Sequence, residues 1–265
     1  MSYRMASAFI IALACAPATA GEAQDWSGFY LGAHLGIGSL DTEFRSDFDL
    51  LPSDTYQSSP KSGGVHIGYG RELGVIYLGI EGDVGVYGDA EVSDWSTSTS
   101  ASGGIVVGVG GVVGSCIAPP CPAGRITTVT ASAEAFDTTL RSVASVKARL
   151  GYPVGKFLPF VSTGVAAGDV ETRYLAGTTT STVRDDGAIL GEPEAVGHFV
   201  EDREFMFGYT LGGGLEYAIN SRVSIRGEYV FTDLGKRIYE HPDGTGSESF
   251  KTRLHEGRIG LSLRF

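Results

Sequence analysis

The residues best placed to do chemistry are ten charges that recur at alternate positions of short β-patterned segments. They are Glu81 and Asp83, then Arg141, Lys147 and Arg149, then Glu216, Arg226 and Glu228, and finally Glu256 and Arg258. A spacing of two puts each set on one face of its strand. If that face is closed off from water, the charges must pair, because an unpaired buried ion is expensive. Two arrangements fit such a set. One is a salt-bridge network that fills an enclosed space; the other is a narrow path for an ion or small solute, gated by the same network. The spacing predicts that Glu81 and Asp83 neighbour Arg141, Lys147 and Arg149. Glu216 is expected beside Arg226 and Glu228, with Arg258 and Glu256 next along.

Other reactive residue types carry less. His34 and His66 fall on the charged face, His255 on the apolar face, and His198 and His241 in polar connections. Hydrolysis by a triad needs a histidine beside a nucleophile and an acid, and neither a His-x-Ser nor a Gly-x-Ser-x-Gly motif occurs. The expectation is therefore no catalytic residues, no cofactor and no metal site. Cys116 and Cys121 bracket Ile-Ala-Pro-Pro, with no histidine or second cysteine pair nearby. In an exported chain this pair reads as a disulfide, free or metal-binding thiols being the alternative.

Export is read from the start of the chain. Arg4, an apolar run over 5–15 and the small-x-small Ala18-Thr19-Ala20 make residues 1–20 a signal peptide. The run is shorter than the roughly 20 residues a membrane helix needs. Acylation of Cys15 is the alternative, although Ala12 stands where a lipoprotein usually has leucine. The net charge is −11, and 1–20 hold one base and no acid, so residues 21–265 carry −12. That acidity argues against a nucleic-acid partner.

The elements that must position the charges are eight period-two segments: 28–39, 63–71, 75–87, 140–152, 158–170, 205–219, 222–234 and 254–265. About ten alternating residues is what a tilted membrane strand requires. Three links are turns, at 72–74, 153–157 and 220–221. The other four, 40–62, 88–139, 171–204 and 235–253, are long and polar. Strict alternation of short and long links fits an all-β, eight-stranded antiparallel transmembrane barrel, with periplasmic turns and external loops. The faces agree: Ile259, Leu261, Leu263 and Phe265 oppose Glu256, Arg258, Ser262 and Arg264. A soluble barrel would be equally periodic but would turn its apolar side inward. Residues 21–265 thus form one barrel domain. Within 88–139, segments 104–113 and 126–133 predict an external hairpin, and ten strands, with that hairpin inserted in the wall, is the alternative. The loops are acidic, with Asp41, Glu43, Asp47, Asp49 and Asp54 in the first and Glu192, Glu194, Glu201, Asp202 and Glu204 among those of the third.

Several of these stretches resemble the alphaproteobacterial small outer-membrane β-barrel family, often called porin-like. They include Asp25-Trp26-Ser27-Gly28-Phe29-Tyr30-Leu31-Gly32, Glu81-Gly82-Asp83, Arg149-Leu150-Gly151-Tyr152 and Leu158-Pro159-Phe160-Val161. Gly164-Val165-Ala166, Gly168-Asp169-Val170, Gly212-Gly213-Gly214-Leu215-Glu216-Tyr217-Ala218 and Arg226-Gly227-Glu228-Tyr229 complete the set. The resemblance implies an eight-stranded barrel in the bacterial outer membrane, with Phe265 as the C-terminal assembly signal read by the barrel-assembly machinery. It implies outer-membrane lipid and lipopolysaccharide as surroundings, and no single activity. A structural and surface role, a narrow low-conductance porin, and a binder or adhesin acting through its loops all remain open.

Overall fold

Gly74 (φ 68°) and Gly155 (φ 59°) sit in the left-handed region that a side chain disfavours, and they turn the chain at two of its tight links. The computed structural model describes residues 24–46, 54–105, 125–184, 189–240 and 247–265. The signal peptide expected over 1–20 and the cysteines expected to pair, Cys116 and Cys121, lie outside the described residues.

The chain is a single antiparallel sheet closed on itself. Its strands are β1 (Gly28–Ser46), β2 (Asp54–Ser58), β3 (Lys61–Leu73), β4 (Ile76–Gly88), β5 (Glu91–Ile105), β6 (Arg125–Gly151), β7 (Phe157–Arg184), β8 (Ile189–Ala218), β9 (Val223–Glu240) and β10 (Ser247–Arg264). Eight of them form the wall in the order β1, β3, β4, β6, β7, β8, β9, β10. The ladder from β1 to β10, from Tyr30 opposite Arg264 to Ser46 opposite Glu248, closes it. Closure leaves no open edge within the bilayer, which is the condition a sheet must meet to cross one.

The wall has eight strands and not ten, because β4 pairs directly with β6 from Tyr77–Gly151 to Val86–Ser142. Above that point β6 changes partner and pairs with β5, from Thr139 opposite Glu91 to Arg125 opposite Ile105. The external hairpin therefore stands on the rim. Its first arm begins at Glu91 rather than at residue 104, and 106–124 fall outside the described residues.

Three of the long polar links are also more ordered than their hydropathy suggests. β7 and β8 pair without a break from Phe157–Tyr217 up to Thr180–Glu194, far past the last apolar alternation, and after a register shift pair again at Thr182–Leu190 and Val183–Ile189. Hydropathy alternation reports what bathes the two faces of a strand. The backbone ladder needs only a partner, so it continues where both faces are polar.

The two faces of the wall are inverted relative to a soluble barrel. Leu35, Ile37, Ile67, Ile80, Val165, Phe207, Ile259 and Leu261 point outward and are exposed, while the buried side of the same strands carries most of the polar and charged residues. An apolar belt of this extent is incompatible with water. Aromatic residues border it. Phe29 and Tyr69 (4.9 Å between ring centroids) and Phe157 and Tyr217 (4.9 Å) lie at the turn end. Tyr209, Phe231, Tyr229 and His255 lie at the loop end. Interfacial girdles have this placement.

Candidate functional site

The enclosed interior is built in layers, and the lowest is apolar. At the turn end, Trp26, Tyr77, Leu158 and Ala218 pack together fully buried. Arg264 caps this layer: its guanidinium lies 5.2 Å from the Trp26 ring and 5.2 Å from the Tyr30 ring, and it donates to the Trp26 carbonyl.

Above it sits an ion-pair cluster centred on Glu81, which contributes from β4. Glu81 Oε2 accepts from Arg226 (2.6 Å), Tyr30 (3.0 Å) and Arg149 (3.2 Å), and Lys147 Nζ lies 3.1 Å from Oε1. Arg149 reaches across to Glu216 (2.9 Å), which also accepts from Ser224 (2.6 Å). The Arg149 guanidinium lies over the Phe160 ring at 4.0 Å. Glu228 stands 3.6 Å from Lys147 and 3.7 Å from Arg226. Neighbouring strands bring these groups together because Glu81 faces Lys147 and Glu216 faces Arg226 directly in register.

A second cluster follows toward the loops. Arg258 donates to Asp83 (2.9 Å) and to Glu256 (2.8 Å), and Tyr87 donates to Glu256 (3.0 Å). Ser62 donates to the other Glu256 oxygen. His34 and His66 lie between the clusters, their rings 6.1 Å apart and near parallel at 19°.

The outermost layer is again apolar. Leu40, Phe44, Phe136, Leu140, Val143, Val170, Leu234, Phe250 and Leu254 are buried in one group, with Phe44 stacked on Phe136 at 5.0 Å. The ions are thus enclosed between two hydrophobic layers. That setting strengthens each pair and raises the cost of any unmatched charge. Within it the charges balance, Glu81, Asp83, Glu216, Glu228 and Glu256 against Lys147, Arg149, Arg226, Arg258 and Arg264, all buried.

Nine of the ten charges singled out from the sequence lie in this interior. Arg141 does not. The β6–β7 register shifts between Leu140 and Ser142, so Arg141 occupies a bulge. An extra residue reverses the inward–outward parity of the strand: Leu140 and Val143 both face in, and Arg141 turns out. It pairs instead with Glu171 on the external rim. That hydrogen bond holds the Glu171 carboxyl below its ordinary range, with the nearby charges of Arg141, Arg173 and Arg203 adding to it.

Sequence reasoning missed Arg264, Tyr30 and Tyr87 as members of the network, and it missed both apolar layers. The signal for Arg264 was present in its alternation with Ser262. Leu40, Phe44, Phe136 and Phe250 fell in stretches read as loops. His255 lies outside the barrel, 2.7 Å from the Tyr229 hydroxyl, and is only part-exposed.

Comparison with known proteins agrees with this architecture. Residues 6–265 match the family model described as outer membrane protein beta-barrel domain. The chain is similar to the 31 kDa outer-membrane immunogenic protein of Brucella melitensis, at 29% identity over 98% of this chain and 93% of that protein. It is also similar to the 22 kDa outer membrane protein of Rhizobium leguminosarum, at 26% identity over 92% of this chain and 80% of that one. Among solved structures, OprG from Pseudomonas aeruginosa aligns with a TM-score of 0.39 and 10% identity, over 92% of this chain and 98% of that chain. The barrel sits in a bacterial outer membrane.

Proposed function

We propose, since this chain belongs to the outer membrane protein beta-barrel domain family, that it serves the envelope as a structural, surface-exposed barrel whose lumen is closed. One observation carries this reading: the balanced ion cluster is capped by apolar layers at both ends. An eight-stranded barrel is about wide enough to be filled by its own side chains. A path for hydrated ions would have to breach fully buried Trp26, Tyr77 and Leu158 at one end and Leu140 and Leu254 at the other. The same layers weigh against the narrow-porin reading. For an enzymatic role, Ser262, His66 and Asp83 do come together, but all three are buried between the apolar layers, closed to a substrate.

The lipid-facing belt would contact acyl chains. The acidic residues of the rim and loops would meet lipopolysaccharide through bridging divalent cations. A second role, as a surface binder, is favoured by the height of the projecting sheet: β6, β7 and β8 run 27, 28 and 30 residues, well beyond a membrane span. External molecules would meet that sheet first.

A strain lacking the protein tests the structural role. It is expected to become several-fold more sensitive to bile-type detergents and to release periplasmic protein, while uptake of small hydrophilic solutes is unchanged. Reduced solute uptake with detergent tolerance intact would overturn the reading in favour of a porin.

A further inference from the structure

Three side chains of the interior converge beside the second ion cluster, and one of them, Asp83, is paired with Arg258. His34 is on β1, His66 on β3 and Asp83 on β4. His66 faces Asp83 directly across the β3–β4 ladder, and His34 lies diagonal to His66 through its pairing with Gly64. Nitrogen and oxygen atoms of the three, one from each, all lie within 4.8 Å of one another, and all three residues are buried. His34 Nδ1 is 3.4 Å from Asp83 Oδ2.

We propose that His34, His66 and Asp83 bind one late first-row divalent cation, of which zinc is the reference case. Two imidazoles and a carboxylate, with a water in the fourth position, form a familiar donor set for such an ion. Bonds of about 2.0–2.2 Å place tetrahedral ligands roughly 3.3 Å apart. The His34–Asp83 pair already has that separation, and the His66 nitrogen lies within 4.8 Å of both.

Two independent features point to a ligand. Both ring nitrogens of His34, Nδ1 of His66 and Oδ2 of Asp83 are buried without a hydrogen-bond partner. Buried polar atoms are rarely left so. The other atoms of His66 and Asp83 are occupied in the way a metal site requires. His66 Nε2 meets Ser262 Oγ at 2.9 Å, and Asp83 Oδ1 accepts from Arg258 at 2.9 Å. Such outer contacts fix which nitrogen or oxygen turns to the ion.

The rings are also seated against glycine. A Cβ on Gly64 would come 2.5 Å from His34 Nε2, and one on Gly32 would come 2.5 Å from His66 Cε1. Only a bare backbone at these two positions lets the imidazoles lie where they converge. The donor set is two imidazoles and one carboxylate. That favours imidazole-seeking metals over calcium and magnesium.

The test uses the full-length protein extracted in detergent from outer membranes of cells grown with added zinc, then washed with EDTA. Metal content is measured by mass spectrometry. About one zinc per chain should survive the wash, since the apolar layers shield the site. His66→Gln and Asp83→Asn should each lower retained zinc by about tenfold or more, whereas His255→Ala should not. A variant counts only if its heat-modifiable gel migration shows a folded barrel. Wild-type protein without retained zinc would overturn the proposal whatever the variants do. Equal retention in a folded His66→Gln protein would do the same.

Discussion

Replacing Arg149 with alanine is expected to lower the unfolding free energy by about 3–5 kcal/mol, the cost of breaking a buried ion pair by removing one partner. Arg149 is fully buried, bridges Glu81 and Glu216, donates to Tyr30 and covers the Phe160 ring. Its loss leaves Glu216 with Ser224 and a distant Arg264 at 3.5 Å. Urea titration in detergent, read by heat-modifiable gel migration, measures the change. Arg141→Ala is the internal control. Its side chain is half-exposed, and a solvent-screened ion pair of that kind contributes little to stability. Glu171 is held below its unfolded value, so the small contribution of that pair exists above about pH 4.5 and disappears as pH falls through the folded value. Equal losses for Arg149→Ala and Arg141→Ala would contradict the layered interior.

The second large effect is expected on the opposite face. Ile80→Arg places a charge in the lipid belt and should cost about 2–4 kcal/mol if the residue lies near the bilayer midplane. Ile80 is exposed on β4, between the inward-facing Glu81 and its neighbours in the wall. Phe199 is exposed too, but it pairs with Leu175 on the extension of β7 and β8 beyond the membrane. Phe199→Arg should therefore change stability by no more than about 0.5 kcal/mol. The two substitutions introduce the same charge on equally open surfaces, and only the solvent differs. Similar costs at both sites would contradict the placement of the belt.

The membrane-spanning part of the fold was legible because lipid on one side and an enclosed space on the other imprint a period of two. Ile259, Leu261, Leu263 and Phe265 against Glu256, Arg258, Ser262 and Arg264 is the clearest example. Where neither face of a strand is apolar, as at Gly177 to Thr180 of β7, the imprint is lost although the ladder continues. The site was legible in its membership and much less in its geometry. Alternation identified Glu81, Lys147 and Arg149, but one bulge was enough to carry Arg141 to the other face, and nothing in its neighbours announces a bulge. The apolar layers were hidden because Phe44, Phe136 and Phe250 come from three separate links and meet only once the barrel closes. The convergence of His34, His66 and Asp83 has the same origin. It depends on the register of three strands, which local spacing does not contain.

Planar-bilayer recording of the full-length protein extracted from outer membranes tests the closed lumen most directly. A barrel sealed by Trp26, Tyr77 and Leu158 at one end and by Phe44, Leu140 and Leu254 at the other should insert without current steps at any voltage the bilayer tolerates. Reproducible unitary steps from the folded wild-type protein would show that the layers part, and the plug would have to be abandoned for a pore.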